Sequence, residues 1–318
     1  MDYASKLTRP VDKLPGAVAS LYGINVAVVC VRCGYMSTVV ELVSDEIRYV
    51  LKVYRTGEVT PSGLADRVVA SDTYRATGIP VPEAIRTSDG RAFAEWAGHT
   101  LLLMPHMAGT KFEPGDRDQL AGAGVMLGRM HHATRTTDPV SWDEERHRVL
   151  DNVGELTTTL RHTDVDVPEK AVSLLNRGVN WASGVRPEPL PSALIHGDFR
   201  AQNLLFEGAC VSAVLDCDEA RVAPRLLDLA YAGVFFQAVV SPVPLGPADW
   251  KAFLAAYAGQ ARLQPQEQRH LPLLLFLAWM KGIALWLGIA CLRPANTQVT
   301  DWIKAYTGTG IRLYEALP

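Results

Sequence analysis

The chain has 318 residues, 48% of them hydrophobic and 20% charged, with a formal net charge of −3. That length suffices for one large or two modest domains with a substantial core. The near-neutral balance gives no basic surface for nucleic acid and no acidic tail pointing to disorder, and five cysteines, an odd count, do not make a disulfide framework.

The opening MDYASKLTRPVDK lacks the apolar centre of a secretory signal, so a cytoplasmic protein is expected. A polar arm leads into a short helix over 16–22. Strands follow over 24–31, a continuous β-branched run, over 38–43, and over 47–55, the last two joined by Ser44, Asp45 and Glu46. Cys30 and Cys33 form a C-x-x-C, but residues three apart in a strand point to opposite faces, and the pair reads as two core thiols. In the third strand Tyr49, Leu51 and Val53 share one face, Val50 and Lys52 the other. A helix over 62–77 is closed by Gly78 and an Ile-Pro-Val-Pro stretch, and strands over 92–96 and 100–104 lead to Pro105-His106-Met107-Ala108-Gly109.

The rest is mostly helical. A helix over 115–133 ends on His131 and His132; adjacent helical residues point about 100° apart and chelate a metal poorly. Helical segments over 141–149, 153–160 and 170–181 precede the central stretch, and helices over 226–239, 247–259, 266–292 and 300–317 follow it. Residues 271–292 are long enough to span a bilayer. Lys281 stands near the middle, where insertion costs about 2.5–3.5 kcal/mol, and Pro272, Gly282 and Gly288 interrupt the run. It reads as a buried helix of a globular unit, with no membrane partner.

The chemistry concentrates in 194–229. A short apolar strand enters a turn presenting His196, Gly197 and Asp198; Asn203 follows five positions later; a second strand over 211–215 ends at Asp216; and Asp228 opens a helix in a Leu-Leu-Asp-Leu-Ala context. A carboxylate at a turn tip can orient a hydroxyl and accept its proton. An amide and a second carboxylate supply the oxygen ligands that Mg²⁺ prefers, leaving its other positions to water and phosphate. These are the working parts of a phosphoryl-transfer site.

The order and spacing resemble the aminoglycoside phosphotransferase family, a small-molecule branch of the protein-kinase-like fold that also includes choline, homoserine and methylthioribose kinases. The family pattern is H-G-D-x-x-x-x-N, a strand ending in an acid, then D-L-A, matched here by His196-Gly197-Asp198, Asn203, Leu215-Asp216 with Ala220, and Asp228-Leu229-Ala230. The resemblance implies an α+β, two-lobed fold: an antiparallel-sheet nucleotide-binding lobe over 1–104 and a mostly helical lobe over 105–318 carrying the catalytic segment and the acceptor site.

It also implies roles. Asp198 would orient the acceptor hydroxyl and take its proton, with Arg200 donating to the transferred phosphate. Asn203 and Asp216 would hold Mg²⁺, and Lys52 the nucleotide phosphates. The glycine-rich loop of protein kinases is absent, which leaves further phosphate contacts to the backbone at Gly34 and to Ser37 or Thr38. Adenine would bond the carbonyl of Pro105 and the N–H of Met107. His196 and Asp228 would anchor the turn, and Asp218 would touch metal-bound water or nothing. The helix over 62–77 would carry the acid that pairs with Lys52, for which Asp66 and Asp72 are the candidates.

The expected activity is therefore transfer of a γ-phosphate from ATP, with Mg²⁺, to a hydroxyl of a small molecule: an antibiotic such as an aminoglycoside, an amino-acid alcohol such as homoserine, or a sugar. Asp143, Glu144 and Glu145 read either as part of the acceptor site or as a solvated first helical turn. Lys281 and Arg293 in the acid-poor C-terminal quarter would suit an anionic acceptor. The rival reading is a non-catalytic nucleotide-binding module, against which the intact Asp198, Asn203 and Asp216 stand.

Overall fold

Runs of valine, isoleucine and leucine, residues that pack well on a pleated surface, build an antiparallel sheet in the first part of the chain. The structure is a computed structural model, described here for residues 11–33, 37–55, 57, 59–160, 168–238, 240–241, 243–292 and 297–317. Two compact units form, one comprising the chain up to Gly109 together with Ala213–Asp218, the other Thr110–Ser212 with Glu219–Pro318. The division thus falls at Gly109, not after residue 104, and the segment ending in Asp218 joins the first unit.

In the first unit, strands β1 (Ala27–Cys33), β2 (Ser37–Ser44), β3 (Ile47–Tyr54), β4 (Ala94–Trp96) and β5 (His99–Pro105) lie in the order β1-β2-β3-β5-β4. Every neighbouring pair is antiparallel. β1 starts at Ala27 rather than 24 because its register ends there: Ala27 faces Val43, and β2 turns one residue later. Both cysteines of the C-x-x-C fall within β1; Cys30 is half-buried and free, and the Cys33 side chain lies outside the described set.

The sheet sorts its side chains by the strand period. Leu51 and Val53, with Val40, Leu42, Leu101 and Leu103, pack against Leu14, Val18 and Tyr22 of helix α1 (Leu14–Tyr22). Tyr22 secures α1 through a hydrogen bond from its hydroxyl to the Leu101 carbonyl at 2.8 Å. On the opposite face Tyr54 and Leu102 pack against Leu64 and Val68 of helix α2 (Pro61–Ala76). Thr60 caps α2, accepting from the Gly63 N–H at 3.1 Å.

The second unit is mainly helical: α3 (Arg117–Ala133), α4 (Asp143–Leu160), α5 (Glu169–Gly184), α6 (Arg225–Phe235), α7 (Pro247–Gln260), α8 (Pro265–Leu292) and α9 (Thr297–Glu315). Strand β6 (Ser192–Ile195) pairs with β9 (Arg221–Pro224), and β7 (Leu204–Glu207) with β8 (Cys210–Val214). α4 is one helix across the two segments read from sequence. Among the described residues one helix, Pro265–Cys291, is long and apolar enough to cross a membrane. It is the core helix expected from its interrupted sequence, with Trp279, Met280, Ile283 and Leu287 fully buried.

α3 reaches α7 through glycines one turn apart. A Cβ at Gly124 would stand 2.5 Å from the Phe253 carbonyl oxygen, and one at Gly128 2.7 Å from that of Tyr257. Both obstacles are backbone and cannot swing away. Gly124→Ala is therefore expected to cost about 1–3 kcal/mol, read as a lower Tm in thermal unfolding; an unchanged Tm would mean that the helices separate freely.

Candidate active site

In the first unit the functional group gathers under β3. The backbone N–H of Val214 donates to the Pro80 carbonyl at 2.8 Å, which pins the segment carrying Asp216. Asp216 adopts a positive φ of 64°, a left-handed conformation that aspartate tolerates better than most residues. Lys52 Nζ donates to Asp216 Oδ1 at 2.8 Å and to Asp218 Oδ1 at 3.0 Å. Burial alone would lower the lysine pKa; the two carboxylates outweigh it and hold the ammonium well above the ordinary lysine value. Lys52 stays charged.

The expected acid from α2 is not the partner. Neither Asp66 nor Asp72 pairs with Lys52; Asp72 accepts instead from Arg75 at 3.2 Å. The acids come from the chain beyond β8, and α2 contributes a cation: Arg67 Nη1 lies 3.2 Å from Asp218 Oδ2, an ion pair without hydrogen-bond geometry. Asp218 also accepts from the Tyr54 hydroxyl at 3.0 Å. With three groups on it, Asp218 organises the site and is poorly placed to serve a metal, whereas the Asp216 side chain is 44% exposed.

The remaining first-unit expectations vary in outcome. Ser37 opens β2, and its register opposite Tyr54, with Val39 opposite Lys52, puts it on the Lys52 face of the sheet; its side chain is buried. Pro105 ends β5, and the neighbouring His106 N–H is taken by the Arg48 carbonyl at 3.0 Å. Met107, half-buried, stands two residues past the strand end. Gly34 lies outside the described residues.

In the second unit a buried carboxylate builds the turn. Asp228, on the first turn of α6, accepts from the backbone N–H of His196 at 2.6 Å and of Gly197 at 2.7 Å. His131 Nε2 lies 3.2 Å from the same carboxylate, and its Nδ1 3.0 Å from the Tyr257 hydroxyl. Burial would raise the Asp228 pKa; the histidine and amide partners outweigh it and hold the carboxyl below its ordinary 3.8. Gly197 stands at φ 80°, and a Cβ built on it would lie 2.4 Å from the Glu219 carbonyl oxygen, so the position admits no side chain. His196 is fully buried, its Nδ1 accepting from the Asp198 N–H at 3.2 Å.

Asp198 is thereby presented with partners of its own. Its Oδ2 accepts from Asn203 Nδ2 at 2.9 Å and from Arg200 at 2.9 and 3.1 Å. Asn203 also bonds the Asp198 carbonyl at 2.9 Å, so its amide oxygen is the atom available to a cation. Tyr231 on α6 lies near Asp198, and burial together with the charge of that carboxylate pushes the phenol pKa up. Arg200 is held by Asp198 and, in this structure, does not stand apart as a separate phosphate clamp. The residues missed by sequence reading are Arg67, Asp218 as an ion-pair hub, His131 and Tyr231. Glu145, on the first turn of α4, is 9% exposed and pairs with Lys281 at 3.0 Å, Arg221 at 2.9 Å and Arg148. It is no solvated helix end.

Among the described residues no three of His, Cys, Asp and Glu gather into a metal cluster. Mg²⁺ usually takes only one or two carboxylates and keeps water and phosphate oxygens. The half-exposed Asp216 carboxylate of the first unit and the Asn203 amide oxygen of the second are each hard oxygen donors of the kind it uses.

The model of the phosphotransferase enzyme family (APH) matches residues 31–267. The chain belongs to this family. It is 29% identical over 219 residues to a homoserine kinase of Pseudomonas aeruginosa, covering 66% of this chain and 65% of that one. A Zymomonas mobilis homoserine kinase is 27% identical over 199 residues, covering 59% and 58%. The match thus spans less than two-thirds of the length of these curated relatives. Among solved structures, an amicoumacin kinase in complex with AMP-PNP, Ca²⁺ and Ami superposes with a TM-score of 0.70 at 17% identity, covering 97% of this chain and 96% of that one. A microcompartment-associated aminopropanol kinase does so with 0.68 at 19%, covering 97% and 99%. The phosphotransferase has the protein-kinase-like fold expected from its sequence.

Two predictions follow from the geometry. A double-mutant cycle between Arg67→Ala and Asp218→Ala should give a coupling energy of about 0.5–3 kcal/mol in denaturant unfolding; additive effects would make their contact incidental. Asp228→Ala leaves two backbone donors unpaired, each worth about 1–3 kcal/mol, and should lower stability accordingly. Because the Asp228 pKa is depressed by folding, its contribution is present above 3.8 and lost as pH falls through the folded value. The stability gap between wild type and Asp228→Ala should therefore shrink in acid; a gap independent of pH would show that the charge is irrelevant.

Proposed function

We propose that this phosphotransferase is an ATP-dependent small-molecule kinase acting on an acceptor hydroxyl. The observation that carries the reading is Asp198: a carboxylate at a turn tip, held by Asn203 and Arg200 on a turn secured from below by Asp228. The first unit is assigned the nucleotide. Lys52, kept charged by Asp216 and Asp218, meets the phosphates as a point charge, with Ser37 and Gly34 as further phosphate contacts and the Pro105 carbonyl and Met107 N–H as partners of adenine. Asp216 and Asn203 are the residues we assign to hold Mg²⁺, which would neutralise phosphate charge as the γ-phosphate is transferred.

In the proposed reaction the acceptor oxygen forms a bond to the γ-phosphorus. The bond from that phosphorus to the β–γ bridging oxygen breaks, and its electron pair leaves on ADP. Asp198 orients the acceptor hydroxyl and takes its proton. Arg200, two positions after Asp198, holds the Asp198 carboxylate and is assigned as a donor to the transferred phosphate. His196 acts only through the turn.

Such a base contributes about 10²–10⁴-fold. Asp198→Asn should lower kcat by about 10² or more while calorimetry still shows ATP and Mg²⁺ binding. Retained turnover would remove Asp198 from the mechanism, and wild-type ATP binding without turnover of any hydroxyl compound would favour a non-catalytic module.

A further inference from the structure

We propose that Arg67 is a positioning residue for the nucleotide: by holding Asp218 from α2, it lets Lys52 exchange its carboxylate partners for phosphate. This deepens the kinase reading above and rests on it.

The sequence sets the cation beside Lys52. Leu64 and Val68 anchor α2 to the sheet, packed with Tyr54 and Leu102. Arg67 stands three positions after Leu64, on the same side of the helix, and its side chain is only 17% exposed. Its guanidinium lies 5.7 Å from the Tyr54 ring centroid, and Lys52 Nζ lies 5.9 Å from the same ring. The Tyr54 hydroxyl donates to Asp218 Oδ1 at 3.0 Å. One tyrosine thus keeps both cations at one carboxylate, each on its own oxygen: Lys52 on Oδ1, Arg67 on Oδ2.

Charge explains why two cations are needed. Lys52 and Arg67 together balance Asp216 and Asp218. When Lys52 turns to phosphate, a chain without Arg67 leaves Asp218 with neither of these cations. The Asp218 side chain is 16% exposed, and a mostly buried carboxylate stripped of its partners is costly. Asp218 then competes with phosphate for Lys52, and its charge repels the incoming anion. With Arg67 in place each of the four charges keeps a partner. Asp218 has Arg67, Lys52 has phosphate, and the more open Asp216 is left to the metal ion.

The test measures binding of ATP with Mg²⁺ by calorimetry without acceptor, alongside turnover. Arg67→Met keeps the stem, loses the charge, and should weaken binding about tenfold. The KM for ATP should rise with it while kcat stays within about twofold. Adding Asp218→Asn removes the surplus charge and should restore binding to within about threefold of wild type. Unchanged binding in Arg67→Met, or a loss that Asp218→Asn leaves or deepens, makes Arg67 a structural contact and overturns the proposal. Should Arg67→Met not fold, Asp218→Asn alone decides: tighter binding than wild type supports the proposal, and equal or weaker binding overturns it. The expected binding pattern without turnover of any hydroxyl compound keeps the role of Arg67 and removes the kinase reading. Turnover by wild type with unchanged binding in Arg67→Met leaves the kinase reading standing alone. No binding of ATP by wild type overturns both.

Discussion

A carboxylate cannot stay ionised inside a protein without partners, and Asp228 is where this constraint shapes the molecule. It is almost wholly buried, so the chain must bring donors to it. The donors are the backbone amides of His196 and Gly197 and the ring of His131. Satisfying the buried charge bends the chain between β6 and the turn, and the bend presents Asp198. Gly197 is required because the left-handed bend leaves no room for a Cβ against Glu219. The side chain proposed to act on substrate therefore owes its position to one that never meets it.

The first unit solves a related problem. Lys52 sits on a sheet face that α2 covers with leucine and valine, and a lysine there needs acids. In place of a helix-borne acid, the chain uses Asp216 and Asp218 from the segment after β8. That assignment leaves α2 to supply Arg67, which stacks 5.7 Å from the Tyr54 ring centroid while pairing with Asp218. Lys52, Tyr54 and Arg67 all converge on Asp218, which leaves Asp216 the more open of the two carboxylates.

Much of this was legible in the sequence, for stated reasons. The alternation in 47–55 put Lys52 opposite Leu51 and Val53, as β3 does. The five-residue gap from Asp198 to Asn203 is short enough that local backbone fixes it, and the two side chains do bond. What escaped notice depends on residues distant in sequence. Glu145 sits beside Asp143 and Glu144, where acids at a helix start read equally as acceptor-site or as solvated residues. Its burial is set by Lys281, 136 positions away (281 − 145), and by Arg221. His131 read as one of an idle pair because nothing near it announces Asp228. Strand and unit ends shifted because a strand stops where its neighbour does: β1 begins at Ala27 since β2 offers no partner beyond Ser44.

The central claim is that ATP and Mg²⁺ engage the Lys52–Asp216 group of the first unit. Amide hydrogen exchange with and without ATP tests it most directly. The account predicts that ATP slows exchange across Leu215, Asp216, Cys217 and Asp218 and at the start of α2, and that the effect requires Mg²⁺. Exchange unchanged at those amides under saturating ATP and Mg²⁺, or protection confined to other segments, would contradict it.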